Sequence, residues 1–344
     1  MNSRKVVEAL TYDDVLLVPQ YSDIESRSEI ELGTDMGHGV RLALPIISSP
    51  MDTITETLMV QAMDTQGGLG IVHRYNGIDE QTRLVYKAST RDVKNIGAAI
   101  GVTGDYAYRA ESLVDHGANI ICVDVAHGQH SLVERALKIL REKFPDLHIM
   151  AGNVATRQGF DMLASWGASS VRCNIGGGSI CTTRIQTGHG IPGLHTIMDC
   201  ANSEYAGDVK IVADGGIKNS GDIVKALAAG ADAVMLGSLL SGTTETPGEV
   251  VHLPRGKTMK VYRGMASKDA QNDWRGKTSS VEGVTSTVPF RGPVRIVLND
   301  LEAGLRSGLS YSGARNITQL HDRAVFVRQT HAGLIESGAH INRG

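Results

Sequence analysis

The chain has 344 residues, 41% apolar and 21% charged, with a formal net charge of -3. That balance describes a globular protein with ample core and gives no basic field, so nucleic acid is not an expected partner. No apolar run approaches membrane-spanning length, and Met1-Asn-Ser-Arg-Lys-Val-Val-Glu8 carries no signal region, so no membrane association is expected. Four cysteines, Cys122, Cys173, Cys181 and Cys200, form no C-x-x-C pair, and a reducing, cytoplasmic setting is the natural expectation.

Forty glycines with few aromatics suit α/β architecture with many tight strand-to-helix turns. Eight short apolar runs recur along the chain, at 45–49, 68–73, 95–100, 120–125, 148–154, 170–175, 210–214 and 233–237. They are too short for helices and rich in Val and Ile, as strands buried on both faces are. Amphipathic segments such as 160–165 and 220–229 lie between them, the latter opening with a helix-start signal at Asn219. Eight βα units predict a closed (β/α)₈ TIM barrel forming a single catalytic domain; an open doubly wound sheet is the structural alternative. Only about 21 residues separate the second and third runs, so no regulatory domain is expected there. From about 243 to 290 the pattern changes: 249–263 reads as a hairpin, and 264–286 is polar and without periodicity, which predicts a mobile flap after the eighth strand. Helical spacing returns over 294–306 and 316–328, and the tail after Gln329 reads as weakly structured.

Barrel chemistry belongs at the C-terminal strand ends, and polar or glycine residues recur there: Ser48-Ser49, His73-Arg74, Asp124, Asn153, Gly176, Asp214-Gly-Gly216 and Gly237-Ser238. After the sixth run, Gly176-Gly-Gly-Ser179 is a phosphate-type loop that ends on Cys181. Oriented amides there would favour an anion and a thiolate. With Gly237-Ser238 as a second such loop and the Asp214 carboxylate suited to a ribose diol, the set describes a nucleoside monophosphate site with Cys181 as nucleophile. The other cysteines lie in or beside apolar runs and read as inert buried thiols. The twelve histidines show no close metal-ligand set, and neither a hydrolase elbow nor a Rossmann fingerprint is present.

These residues resemble the inosine monophosphate dehydrogenase and guanosine monophosphate reductase family over nearly the whole chain. The carrying motifs are Leu10-Thr-Tyr-Asp-Asp-Val-Leu-Leu-Val-Pro19, Ser48-Ser-Pro-Met-Asp-Thr53, Ala151-Gly-Asn-Val154, Gly178-Ser-Ile-Cys-Thr-Thr-Arg184, Ala213-Asp-Gly-Gly216, Met235-Leu-Gly-Ser238, Tyr262-Arg-Gly-Met265 and Glu282-Gly283. The resemblance implies that Cys181 attacks purine C2 to give a covalent thioimidate, with hydride passing between C2 and a nicotinamide. It places the nucleotide on Ser49, Met51, Asn153, Arg172, Ser179, Asp214, Gly216, Gly237, Ser238, Tyr262, Gly264 and Met265, and the nicotinamide beside Asp124, Val125 and Ala126. Thr183 and Glu282 would form the proton relay. A monovalent cation such as potassium would sit on carbonyls of Gly176, Gly178 and Cys181, completed by a neighbour's segment resembling Glu336-Ser337, which implies an oligomer, usually a homotetramer.

Wording across the barrel is closer to the dehydrogenase, as in Ser49-Pro-Met-Asp-Thr-Ile-Thr-Glu56. The flap is closer to the reductase: it is short, and holds Asp273-Trp-Arg-Gly-Lys277 with no Arg-Tyr dyad to activate a hydrolytic water. That favours conversion of GMP to IMP and ammonia with NADPH, with oxidation of IMP by NAD as the alternative. A nucleotide-sensing barrel without activity and a flavin-dependent barrel oxidoreductase are the readings from other classes. Gly177 stands where both branches commonly have proline, and His127 gives the Asp124 loop a mixed character.

Overall fold

Residues 6–338 are described by the computed structural model. Each of the eight apolar runs forms a parallel strand, and the strands close into a barrel in which Ala233–Leu236 pairs with Ile46–Ser48 to complete the ring. A closed (β/α)₈ TIM barrel is therefore the fold, and the open-sheet alternative is excluded.

The alternation of the strands sorts their side chains into two cores. Ile47, Leu69, Ile71, Ala99, Ile120, Cys122, Met150, Val212, Ala233 and Met235 fill the barrel interior. Between strands and helices lies the larger cluster, to which Ile46, Val72, Ile121, Val123, Ile149, Val171 and Val234 belong. Residues of both sets are removed from water, which explains why the runs carry no polar alternation. The helix Ser131–Lys143 shows the matching pattern outside, burying Val133, Ala136, Leu137 and Leu140 on one stripe while Arg135, Lys138 and Glu142 face water. The Asn219 side chain accepts from the Asp222 amide at 2.9 Å, capping Ser220–Ala228 as its position predicts.

A hairpin of Thr34–Gly37 and Val40–Leu42, to which the sequence reading assigned no element, closes the bottom of the barrel with Met36, Val40 and Leu42 in the interior core. Its turn is carried by glycines on either side of His38, with φ of 82° at Gly37 and 77° at Gly39. A second small sheet pairs Val15–Leu17 with Phe326–Arg328 antiparallel. The stretch 316–328, expected to be helical, is thus a helix Ile317–Arg323 followed by a strand, because Ala324 leaves the helix in extended conformation.

The segment after the eighth strand departs further from expectation. Val251–His252, Thr258–Arg263 and Thr285–Pro289 form a three-stranded antiparallel sheet, and the aperiodic polar stretch holds a helix, Lys268–Arg275. That helix buries only Ala270 and Gln271, a stripe too narrow to show as hydrophobic periodicity. The tail expected to be weakly structured forms a short helix, His331–Glu336, because Thr330 accepts from the Gly333 amide at 3.2 Å. Between the second and third barrel strands, the connection is the helix Ile78–Ser89 with short loops. Among the described residues no helix is long and apolar enough to cross a membrane.

Candidate active site

The loop after the sixth strand is fixed before any side chain reaches a ligand. Gly176 turns at φ 77°, in the left-handed region that suits a residue without Cβ. The Cys181 amide then donates to the Gly178 carbonyl at 3.1 Å. Ile180, Cys181 and Thr182 are stitched to the return limb of the flap: Val284 N donates to Ile180 O at 3.0 Å, and Thr182 N donates to Glu282 O at 2.9 Å. Where Cys181 sits is therefore set jointly by the barrel and by the flap.

Gly177 has a local explanation. A Cβ there would lie 2.1 Å from Nδ2 of Asn174. That amide is not free to move aside, since it donates to Gly215 O at 3.2 Å and its Oδ1 accepts from Arg184 at 3.3 Å. Asn174 thus ties the sixth-strand loop to the seventh and occupies the space that a proline ring at 177 would need.

Cys181 is half-buried, whereas Cys122, Cys173 and Cys200 are fully buried. Burial pushes the Cys122 thiol up to about 12 and the Cys173 thiol well above its ordinary value, which keeps both protonated and inert. The Cys181 thiol instead donates to Thr183 Oγ1 at 3.2 Å, and that hydroxyl donates to Glu282 Oε2 at 2.8 Å. A continuous proton path runs from sulfur to carboxylate.

Facing this path is a charge network built from strand ends. Arg172, on the sixth strand, donates to Asp124 Oδ1 at 2.6 Å and to Asp214 Oδ2 at 3.0 and 2.8 Å. Asn153 adds a third donor to Asp214 Oδ2 at 2.8 Å. Among the described residues the other oxygen of Asp214 accepts nothing, so it remains available to a hydroxyl. Burial alone would push the Asp124 carboxyl up; Arg172 and Arg74 outweigh that and hold it below the usual carboxylate range. The site therefore holds two carboxylates, at the ends of the fourth and seventh strands, bridged by one buried guanidinium.

At the neighbouring loops, Gly237 packs so closely that a Cβ would meet Tyr262 Oη at 3.0 Å, Met51 Sδ at 3.3 Å and Ser49 Oγ at 3.6 Å. Met265 Sδ accepts from the Asp52 amide at 3.4 Å, fixing the start of the flap against the first-strand loop.

All of this opens onto one cavity of about 590 Å³ at the C-terminal end of the barrel. The structure brings every candidate residue to its wall: Ser49, Met51, Asp124, Val125, Ala126, Asn153, Arg172, Gly176, Gly178, Ser179, Cys181, Thr183, Asp214, Gly216, Gly237, Ser238, Tyr262, Gly264, Met265 and Glu282. It adds residues that sequence reasoning passed over, among them Tyr75, Gln271 and Ser280. Their only signal was position, immediately after a barrel strand or inside the flap.

The chain matches the family model described as "IMP dehydrogenase / GMP reductase domain" over residues 9–340. It is similar to an inosine-5'-monophosphate dehydrogenase from Nitrosopumilus maritimus, 33% identical over 97% of this chain and 98% of that one. It is likewise similar to a GMP reductase from Leishmania major, 32% identical over 97% of each chain. A solved GMP reductase variant from Trypanosoma brucei, in complex with guanosine 5'-monophosphate, superposes with a TM-score of 0.92 at 30% identity, covering 97% of this chain and 98% of that one. With that match of sequence and fold, this barrel belongs to the IMP dehydrogenase / GMP reductase family of oxidoreductases.

Proposed function

We propose that this protein is a GMP reductase, converting GMP to IMP and ammonia with NADPH. The observation that carries the reading is the short flap, which holds Asp273-Trp-Arg-Gly-Lys277 and no Arg-Tyr dyad to activate a hydrolytic water, beside a Cys181–Thr183–Glu282 chain suited to proton relay. In this mechanism Cys181 passes its proton through Thr183 to Glu282 and adds to purine C2. The 2-amino group leaves as ammonia, taking a proton back along the same path, and a covalent thioimidate remains. The dinucleotide supplies a hydride to C2, after which the C2–S bond breaks, releasing IMP and regenerating the thiolate. General acid–base groups of this kind contribute factors of about 10²–10⁴.

The remaining wall residues bind and orient. Asp214 offers its unengaged oxygen to the ribose diol. Ser49, Asn153, Ser179, Gly216, Gly237, Ser238 and Tyr262 surround the nucleotide, Met51 and Met265 flank the base, Arg172 holds Asp214, and Gly264 lets the backbone approach. Asp124, Val125 and Ala126 face the nicotinamide, and the ionised Asp124 carboxylate fits a ribose hydroxyl donor. Carbonyls of Gly176, Gly178 and Cys181 suit a monovalent cation such as K⁺; that of Gly178 accepts one internal bond and retains a second lone pair. A neighbouring subunit in a homotetramer would complete that seat, and the setting proposed is the cytoplasm.

IMP oxidation with NAD is the second reading, favoured by relatives named as the dehydrogenase at 33% identity. Absorbance at the nicotinamide band separates the two, with GMP plus NADPH in one assay and IMP plus NAD in another. The first is expected to change faster; a faster second overturns the choice. Absence of turnover in both, with no nucleotide-dependent mass adduct on Cys181, would overturn the enzymatic reading itself.

A further inference from the structure

Arg74 and Tyr75 follow the second barrel strand, Leu69–Val72, and both reach the carboxylate of Asp124 two strands away. Arg74 Nε and Tyr75 Oη each donate to Asp124 Oδ2 at 3.3 Å, while Arg172 takes Oδ1 at 2.6 Å. The Arg172 bond is short and strong. The two contacts on Oδ2 are long, so they orient that oxygen while leaving it able to accept from a ligand hydroxyl.

The pair is held from both sides. Behind it, His73 Nδ1 accepts from the Tyr75 amide at 3.2 Å, its ring stacks with Tyr75 at 6.3 Å, and its Nε2 meets Glu56 Oε1 at 3.2 Å. In front is the flap. Trp274, near the end of the flap helix, packs edge-to-face on Tyr75 with ring centroids 5.3 Å apart. The Arg74 guanidinium lies 5.0 Å from the Tyr75 ring and 5.9 Å from the Trp274 ring. The helix itself is tethered through Asp273 to Arg263, which in turn clamps Asp52 of the first-strand loop.

What holds Trp274 in this seat is ring packing and cation–π attraction. Its indole N–H is buried and, among the described residues, has no hydrogen-bond partner, so no polar contact fixes the ring.

We infer that Arg74 and Tyr75 are positioning residues for the nicotinamide dinucleotide, acting through Asp124, and that Trp274 makes their effect depend on the seating of the flap. This rests on the reading of the Asp124 side of the cavity as the dinucleotide site. It separates the two ligands: loosening Oδ2 of Asp124 should weaken the dinucleotide, whereas Asp214 stays held by Arg172 and Asn153 and keeps the nucleoside monophosphate.

The test is a double-variant cycle of Tyr75→Phe and Trp274→Leu, with Arg74→Lys as a third arm, measured with the nucleotide saturating. Each single variant is expected to raise the dinucleotide KM about ten-fold with kcat within about three-fold, equivalent to roughly 1.4 kcal/mol. Nucleotide Kd should be unchanged. The double variant should cost less than the product of the singles, because both act through one network. Multiplicative effects, an equal loss of nucleotide affinity, or an unchanged dinucleotide KM in all variants would each overturn the inference. The assay is run in whichever direction turns over, so NAD in place of NADPH would refute the reductase reading and still test the pair. If neither direction turns over, Trp166→Phe leaves Trp274 as the sole tryptophan of the chain. Its fluorescence should then respond to NADPH or NAD but not in Tyr75→Leu; no response to either overturns the inference.

Discussion

Thr183 Oγ1 donates to Glu282 Oε2 at 2.8 Å across 99 residues of sequence, joining the helix after the sixth-strand loop to the return limb of the flap. On the proposed mechanism the bond gives the flap a chemical function. It supplies the carboxylate that ends the proton path from Cys181.

Glu282→Gln keeps the shape of that bond and removes the base. It should lower kcat by about 10²–10⁴ with little change in nucleotide affinity. Thr183→Val, which breaks the path in its middle, should fall in the same range. Steady-state rates with nucleotide binding measured separately check both, and a retained kcat in Glu282→Gln would remove it from the relay.

Gly177→Ala should be harmful through one neighbour. The new methyl collides with the tethered Asn174 amide, and displacement of that group is expected to cost about 1–3 kcal/mol together with most of the activity. In the double variant Asn174→Gly, Gly177→Ala the collision is absent and stability should recover. Thermal melts of the single and double variants provide the comparison; additive losses would show that the amide is not the obstacle.

Arg172→Met leaves Asp124 and Asp214 buried without their shared counter-ion. Both carboxylate side chains are only 13% exposed, so the expected destabilisation is about 3–5 kcal/mol. Denaturant titration measures it, and a melting profile like that of the unaltered protein would contradict the proposed network. Pairing this change with Asp124→Asn should restore part of the loss, since one of the stranded charges is then gone.

His148 predicts how acid acts on the barrel floor. Burial pushes its imidazole down to about 4, with Nδ1 facing Gly37 O at 3.3 Å and Nε2 facing Ser170 Oγ at 2.9 Å. The unfolded chain would take up the proton near 6.5, above the folded value, so stability is fully present above about pH 6.5 and is lost as pH falls toward 4. At pH 5 the loss from this group is on the order of 2 kcal/mol. In urea titrations at pH 7 and pH 5, His148→Gln should show a correspondingly smaller fall than the unaltered protein. Equal falls would exclude His148 as the cause. The hairpin at Gly37 is where the loosening should begin.

Much of the molecule was legible in the linear chain. The eight runs of Val and Ile announce strands buried on both faces, because burial on two sides removes polar alternation from the sequence itself. The Asn219 cap, the Gly176 turn and the three inert thiols were readable for the same reason: each depends on residues close in sequence. The flap helix was not, since a two-turn helix burying only Ala270 and Gln271 imposes too little pattern. The C-terminal strand Phe326–Arg328 depends on a partner, Val15–Leu17, far away in sequence, so no local signal marks it, and the three- and four-residue strands of the hairpin at Gly37 and Gly39 are too short to show a period.

The same division runs through the path from Cys181 to Glu282. Cys181 and Thr183 are two residues apart, and their proximity follows from the chain alone. That Glu282 completes the path, and that Tyr75 meets Trp274 beside Asp124, follows only from closure of the barrel and docking of the flap. Sequence determines which groups are chemically capable, through residue type and local turn. Tertiary structure decides which of them face one another, because that requires chain segments far apart in sequence to be packed into contact.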